Sequence, residues 1–258
     1  MADILGERDG SVPERPTRVA EPSRESTLPK RFYEAVAVTE EDGRWTVTLD
    51  GRPVRTPGKR PLAAPTAAIA EAMAQEWAAQ GERIDPLTMP LTRLANTAVD
   101  GVVDAMEEVR EDVLRFAGSD LLCYRAGDPQ GLVDRQREAW DPVLDWCAEA
   151  LGARFDLAEG VMFIAQPQPA LDAVNRSLRA VDDPFRLAAL HVVTTLTGSA
   201  LLALALDAGA SDADAVWHAA HVDEDWNIAQ WGEDAEAQAR RAQRRLDFDA
   251  AALVLQRP

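Results

Sequence analysis

The chain has 258 residues, of which 47% are apolar and 28% are charged, which is the composition of an ordinary globular protein and excludes a collagen or a disulfide miniprotein. It carries 44 acidic and 27 basic residues, a net charge of −17, so it is expected to bind neither nucleic acid nor anionic membrane surfaces. Its two cysteines, Cys123 and Cys147, are too few for a disulfide framework or a zinc site, and we expect reduced thiols.

Residues 1–29 are predicted to form a disordered N-terminal tail. They combine several prolines, charges of both signs and isolated apolar residues. The segment lacks the apolar core of a secretory signal, and its acidic residues argue against an organellar transit peptide. We therefore expect a cytoplasmic protein.

Between residues 31 and 57 the sequence predicts β-structure. A first strand is expected over residues 33–38, and residues 45–49 alternate between apolar and polar side chains as in a half-buried strand. Asp50-Gly51 follows directly, and this dipeptide tolerates the positive φ angles of a tight hairpin turn. Residues 52–56 are expected to return as the partner strand.

After residue 65 the apolar period changes to that of helices. Ile69, Met73 and Trp77 recur every four residues on the first predicted helix. Further helical faces follow over residues 91–99, 106–117, 131–151, 171–181, 187–206 and 235–253. An Asp-Pro pair at residues 141–142 predicts a kink or a new start within the third of these.

The run over residues 187–206 contains no charged side chain and has the length of a membrane span. Polar residues near its centre, Thr194 and Thr197 among them, and the acidic flanks favour a buried helix at the centre of a helical domain. We expect His191 to be a hydrogen-bonded core histidine.

These patterns predict an α+β fold of two domains. Residues 30–88 are expected to form a small N-terminal α/β-sandwich-like domain with β-hairpins. Residues 89–258 are expected to form a larger, mostly helical C-terminal domain.

The sequence offers little for catalysis. It contains no phosphate-binding loop, no dinucleotide-binding motif and no nucleophile elbow. His218 and His221 lie three residues apart on a predicted helix and are followed by acidic residues, which is half of a metal site. A metal-dependent hydrolase that uses these histidines and nearby acids is therefore the alternative hypothesis. The other interpretation of this segment is a helix surface that docks through His and Trp contacts.

Three tryptophans, Trp217, Trp226 and Trp231, fall within fifteen residues among many acids. Large aromatic residues among charges are typical of a protein-recognition surface, and equally of a helix that packs onto the core. The candidate partner-binding residues are Trp231, Glu233, Asp234, Glu236, Asp223 and Glu224. The alternative for the acids of residues 233–236 is that they merely cap the last helix, where negative charge is favoured.

Several segments, taken together and in order, resemble one protein family. They are residues 30–33, 49–57, 76–77 with Gln80, 89–98, 120–125, 140–142, 197–199 and 231–237. With these motifs the chain resembles the assembly chaperones that act on the alpha subunit of the F-type ATP synthase catalytic head, the type of mitochondrial ATP synthase assembly factor 2, as a bacterial member.

The resemblance implies a protein that is not an enzyme and that needs no cofactor or metal. It implies a chaperone in proton-transporting ATP synthase assembly, which holds the free alpha subunit until the beta subunit takes its place. It leaves open a transient contact with the beta subunit or with another assembly factor. A passive structural subunit of a larger complex is a third hypothesis.

Overall fold

The computed structural model describes residues 27–41, 43–160 and 162–256. The predicted disordered tail, residues 1–29, therefore lies outside the described residues except for its last three positions. The described chain has a mixed α+β fold in which a small sheet precedes a mostly helical portion, as predicted.

The strands are β1 (Val36–Glu41), β2 (Arg44–Leu49), β3 (Arg52–Pro53), β4 (Ala63–Ala64), β5 (Tyr124–Arg125) and β6 (Ala158–Glu159). In the N-terminal sheet β2 pairs antiparallel with β1, β3 and β4, and β5 pairs with β6 in parallel elsewhere in the chain. The first strand starts three residues later than predicted, because the chain before it is fixed by side-chain contacts and not by strand pairing.

Those contacts come from Asp50 in the hairpin turn. Asp50 and Gly51 have φ angles of 49° and 76°, so the predicted tight turn is confirmed. The carboxylate of Asp50 accepts hydrogen bonds from the backbone N–H groups of Glu34 and Ala35, at 3.1 and 2.8 Å. One residue thus shapes the turn between β2 and β3 and also anchors the chain that enters β1.

The helices are α1 (Ala67–Ala78), α2 (Pro90–Asp100), α3 (Met106–Ala117), α4 (Gln130–Trp146), α5 (Gln168–Arg179), α6 (Pro184–Thr197), α7 (Ala200–Asp207), α8 (Ala213–Ala220), α9 (Val222–Trp231) and α10 (Ala235–Leu255). Short 3₁₀ turns occupy Pro86–Thr88, Val102–Asp104 and Leu121–Cys123, and a π-helical turn, Cys147–Leu151, follows α4.

The helix α4 runs through Pro142, so of the kink or new start predicted there the new start is absent. The prediction for residues 187–206 was wrong. The expected single helix over residues 187–206 is two helices, because Gly198 takes a left-handed conformation (φ 71°) that ends α6. The hydroxyl of Ser199 then accepts the N–H of Leu202 at 3.0 Å and starts α7.

The helices α6 and α7 nevertheless occupy the expected central position. Every residue of α7 is buried, and α6 packs against α2, α3, α7 and α10. Within the described residues, no helix is both long and apolar enough to cross a membrane.

The helix α2 connects the sheet with the helical part. The carboxylate of Glu76 on α1 accepts the N–H groups of Leu91 and Thr92, at 2.7 and 2.8 Å, and so caps the start of α2. Desolvation by burial raises the pKa of Glu76. At the other side α2 packs on α6 and α10, and Arg93 forms an ion pair with Asp247 of α10.

The division into domains between residues 88 and 89 stays a prediction.

A second carboxylate organises the interior. Asp120 is fully buried, and its two oxygens accept the N–H groups of Leu122 and Leu201, each at 3.1 Å. It thereby joins the 3₁₀ turn at residues 121–123 to the start of α7. Burial raises the pKa of Asp120 to about 6.

Cys123 and Cys147 are both free and buried, and desolvation raises the pKa of each thiol to about 12.

Candidate partner-binding surface

The chain makes an exposed corner between α9 and α10. Trp231 is the last residue of α9, and 87% of its surface is exposed. Gly232 follows with a φ of 90°, which a residue with a side chain rarely adopts, and the chain turns away from the helix axis. Asp234 then caps α10 by accepting the N–H of Ala237 at 2.7 Å. The turn at Gly232 and the new helix start therefore leave the large aromatic side chain of Trp231 in solvent.

The acidic residues of the corner differ in the contacts that they make. Asp234 is held by its cap, as the helix-cap alternative predicted for this residue. Glu233 is exposed and makes no hydrogen bond or ion pair within the described part of the chain. Glu236 is 84% exposed and pairs with Arg240 one turn later, at 3.0 Å. Because exposed pairs of this kind contribute only about 0.3–0.5 kcal/mol, Glu236 can exchange its partner readily.

The other two candidate residues, Asp223 and Glu224, lie in the first turn of α9. A helix of ten residues is roughly 15 Å long, so they are well separated from Trp231. Asp223 accepts a hydrogen bond from the side-chain amide of Gln136 at 2.7 Å, and Glu224 is 3.9 Å from the ring nitrogen of His221. The six predicted residues therefore occupy both ends of α9 and do not form one cluster.

Contacts with α4 and α10 hold α9 in place. The ring of Trp226 covers Gly131, where an added Cβ would lie 2.9 Å from it. The guanidinium of Arg135 lies 5.0 Å from the centre of the same ring. Asp225 forms an ion pair with Arg241 of α10 at 2.5 Å. The helix that ends at Trp231 is thus held by contacts with both α4 and α10.

The three clustered tryptophans have different surroundings. Trp217 is buried against Phe248, with ring centres 5.1 Å apart. Trp226 is half-buried on α4, and Trp231 is exposed. The packing interpretation is therefore confirmed for Trp217 and Trp226, and for Trp231 a protein-recognition surface stays a prediction.

The histidines do not converge on a ligand set. His221 is buried, and its Nδ1 lies 2.7 Å from the carbonyl oxygen of Trp217. Burial lowers the pKa of His221. His218 points to solvent, with 68% of its side chain exposed. Residues 27–41, 43–160 and 162–256 contain no group of three or more His, Cys, Asp or Glu placed to hold a metal, which leaves the hydrolase hypothesis without a site there.

The expectation for His191 was only half right. It is hydrogen-bonded, since its Nε2 lies 2.7 Å from a carboxylate oxygen of Asp112. It is not a core residue, because 34% of its side chain is exposed where α6 passes α3. The hydrogen bond with His191 lowers the pKa of Asp112.

One feature was missed by sequence reasoning altogether. An apolar pocket of about 420 Å³ lies where the N-terminal sheet meets α2 and α6. Its walls include the small residues Ala63, Ala64 and Ala98, which come from distant parts of the chain. No motif connects them, so only a run of small side chains beside Pro61 and Pro65 could have suggested a concave surface.

Known proteins share this architecture. A family model described as ATP12 chaperone protein matches residues 30–148. A solved protein from Agrobacterium tumefaciens, described there as a candidate chaperone, is 54% identical and matches with a TM-score of 0.84, covering 88% of this chain and 85% of that one.

Atp12 from Paracoccus denitrificans is 40% identical with a TM-score of 0.80, covering 88% of this chain and 97% of that one. A variant of that protein with lysine in place of an aspartate is 39% identical with a TM-score of 0.79, covering 88% of this chain and 98% of that one. These matches place the chain among chaperones. It belongs to the ATP12 chaperone family, and the resemblance seen in the sequence motifs is confirmed.

Proposed function

We propose that this protein is an assembly chaperone of the F-type ATP synthase, which binds the free alpha subunit of the catalytic head and shields its subunit interface until the beta subunit replaces it. Membership of the ATP12 chaperone family and the 40% identity to Atp12 support this proposal. An obligate subunit interface is large and apolar, so an unpaired subunit is prone to aggregate. A temporary cover has to be displaceable, and its affinity is accordingly limited.

The observation that carries the proposal is the exposure of Trp231. A tryptophan buries about 150–250 Å² when it is covered, and tryptophans dominate the binding energy of protein interfaces. This side chain is 87% exposed at a corner where Gly232 turns the chain and Asp234 caps the next helix. A solvent-facing aromatic residue at such a corner is well suited to enter a pocket on a partner.

The neighbouring acids supply the charge of the same surface. Glu233 has no ion pair within the described residues, and Glu236 has only an exposed one. We assign to them a basic group on the alpha subunit, because rim charges direct encounter and orientation more than they add affinity. We assign Asp223 and Glu224, which lie at the other end of α9, to a separate part of the contact with the alpha subunit.

The proposal carries with it a cytoplasmic location. It also allows a transient contact with the beta subunit or with another assembly factor. Both follow from the role of a factor that meets subunits before they are assembled.

A pull-down from the native cell tests the proposal directly. Tagged wild-type protein is expected to retain unassembled alpha subunit, without stoichiometric beta subunit, as measured by quantitative mass spectrometry. Absence of alpha subunit from the retained fraction would contradict the proposal. Retention of the whole ATP synthase in fixed stoichiometry would instead indicate a permanent structural subunit.

The Trp231→Ala variant tests the surface. Truncating a tryptophan that is a hot spot of an interface costs about 2 kcal/mol or more, so capture of alpha subunit should fall about thirtyfold. Phe163→Ala is the matched control, because Phe163 is also an exposed aromatic residue (72%) but lies in another loop. Equal losses of capture in both variants would show that capture depends on exposed apolar surface in general and not on Trp231.

A further inference from the structure

The apolar pocket lies apart from the elements that carry Trp231. It is lined by β4, α2, the turn Val102–Asp104 and the start of α6, and by no residue of α8, α9 or α10. Its volume of about 420 Å³ is in the range of sites that hold a ligand or a large side chain.

The pocket exists because small side chains form part of its wall. Ala64 and Ala98 face it with single methyl groups, and Phe185 forms part of its buried wall. Val103 stands at the rim with 44% of its surface exposed. The lining is mainly apolar, and no side chain of the described residues fills the space. Covering such a wall removes apolar surface from water, which favours an apolar occupant.

Three charged groups border the pocket, and two of them are engaged. Arg60 forms an ion pair with Asp104 at 2.5 Å and donates to the carbonyl oxygen of Val99. Asp183 caps α6 by accepting the N–H of Phe185 at 3.0 Å. Each of these charges therefore already has a partner inside the chain.

The third group is Arg44, at the start of β2. It is exposed and makes no side-chain hydrogen bond or ion pair within the described part of the chain. An uncommitted cation at the rim is notable in a chain with a net charge of −17. An occupant with a carboxylate on that side would complement it.

We propose that this pocket is a second docking site for the client, and that it receives an apolar side chain of the alpha subunit that is flanked by a carboxylate, which pairs with Arg44. The name of the client rests on the proposed function above. The chemistry of the occupant rests on the pocket alone, so the two can be tested separately.

Two dyes of similar shape test the chemistry. 1-Anilinonaphthalene-8-sulfonate has an apolar ring system and an anionic group, and N-phenyl-1-naphthylamine lacks the anion. The wild-type protein should bind the sulfonate about two- to fivefold more tightly, as expected for an exposed ion pair. Arg44→Gln should remove this preference, and Val103→Asp should weaken both dyes at least about tenfold by placing a charge at an apolar wall.

Arg52→Gln is the matched control. Arg52 is an exposed arginine of the same sheet that does not line the pocket, so both dyes should bind this variant as they bind the wild type. Unchanged dye binding by a folded Val103→Asp protein would overturn the pocket assignment. A preference that persists in Arg44→Gln would overturn the role of Arg44.

Purified alpha subunit tests the client. It should displace the sulfonate dye from the wild-type protein, and Arg44→Glu should lower capture of alpha subunit about five- to tenfold. If the wild type captures alpha subunit while the dye stays bound, the pocket proposal is wrong and the proposed function stands. If the wild type captures no alpha subunit, the proposed function fails and the named client with it. Dye release on self-association, seen by sedimentation, would identify a second copy as the occupant and overturn the proposal.

Discussion

Asp120 and Glu236 are both carboxylates at the start of a helix, yet the molecule uses them in opposite ways. Asp120 is fully buried, and backbone N–H groups from two segments bind its two oxygens. Glu236 is 84% exposed, and its partner is an arginine on its own helix. In a chain with 44 acids the residue type therefore says little about function. What separates a structural acid from a binding candidate is whether the fold already occupies its oxygens.

The same contrast runs through the segments that carry the family resemblance. Residues 76–77 meet residues 89–98 where Glu76 caps α2, and residues 120–125 meet residues 197–199 around Asp120. These segments hold the fold together. Residues 231–237 form the corner, where Trp231 remains in solvent. A shared motif with an internal partner is explained by folding, and one without such a partner is the better candidate for a client contact.

The largest expected effect is that of Asp120→Ala. The change leaves the N–H groups of Leu122 and Leu201 buried without an acceptor, which should lower the free energy of unfolding by about 2–5 kcal/mol near pH 5. Urea unfolding followed by circular dichroism measures this. Asp182→Ala, at an exposed position, is the control and should change the stability by less than about 0.5 kcal/mol. Similar losses in the two variants would remove the distinction between internal and surface acids.

The pH dependence of that effect sharpens the comparison. Burial raises the pKa of Asp120 from 3.8 to about 6, so between these pH values the native state holds a proton that the unfolded state releases. The free energy of unfolding contributed by Asp120 therefore falls as the pH rises through this window. The advantage of the wild type over Asp120→Ala should shrink from pH 4 to pH 7, by up to about 3 kcal/mol. An advantage that grows with pH would show that hydrogen bonds to the carboxylate outweigh its desolvation.

Glu76 should give an intermediate effect. Glu76→Gln retains one acceptor oxygen but turns an N–H group toward the start of α2, which should cost about 1.5–3 kcal/mol in unfolding free energy. Glu71→Gln is the matched control, because Glu71 is exposed on the same helix. Thermal unfolding of both variants measures the difference. If Glu76→Gln is as stable as Glu71→Gln, the cap does not join the sheet region to the helical part.

Sequence reasoning succeeded where local pattern determines structure. The alternation of residues 45–49, the Asp50-Gly51 turn and the helical faces fixed the α+β class. It failed where the pattern of apolar residues does not decide. Gly198 ends α6 and Ser199 caps α7 inside an apolar run whose periodicity gives no sign of a break. The helix α4 continues through Pro142, so of the predicted kink or new start the new start is absent.

The candidate surface shows the same limit. The sequence placed six residues together, but Asp223 and Trp231 lie at opposite ends of α9. The hydrogen bond between Gln136 and Asp223 joins positions 87 residues apart, so no local sequence pattern predicts it. The pocket beside Arg44 was missed for the same reason, since its walls come from separate elements.

The smallest effect on stability, combined with a clear loss of function, is expected for Glu236→Lys. This one variant tests the central claim most directly when its stability and its capture of alpha subunit are measured on the same preparation. We predict that the free energy of unfolding changes by less than about 0.5 kcal/mol, because the residue is a solvent-facing one, while capture falls at least about fivefold through like-charge repulsion. Normal capture by a well-folded Glu236→Lys protein would contradict the account and leave Glu236 as a residue of the helix start alone.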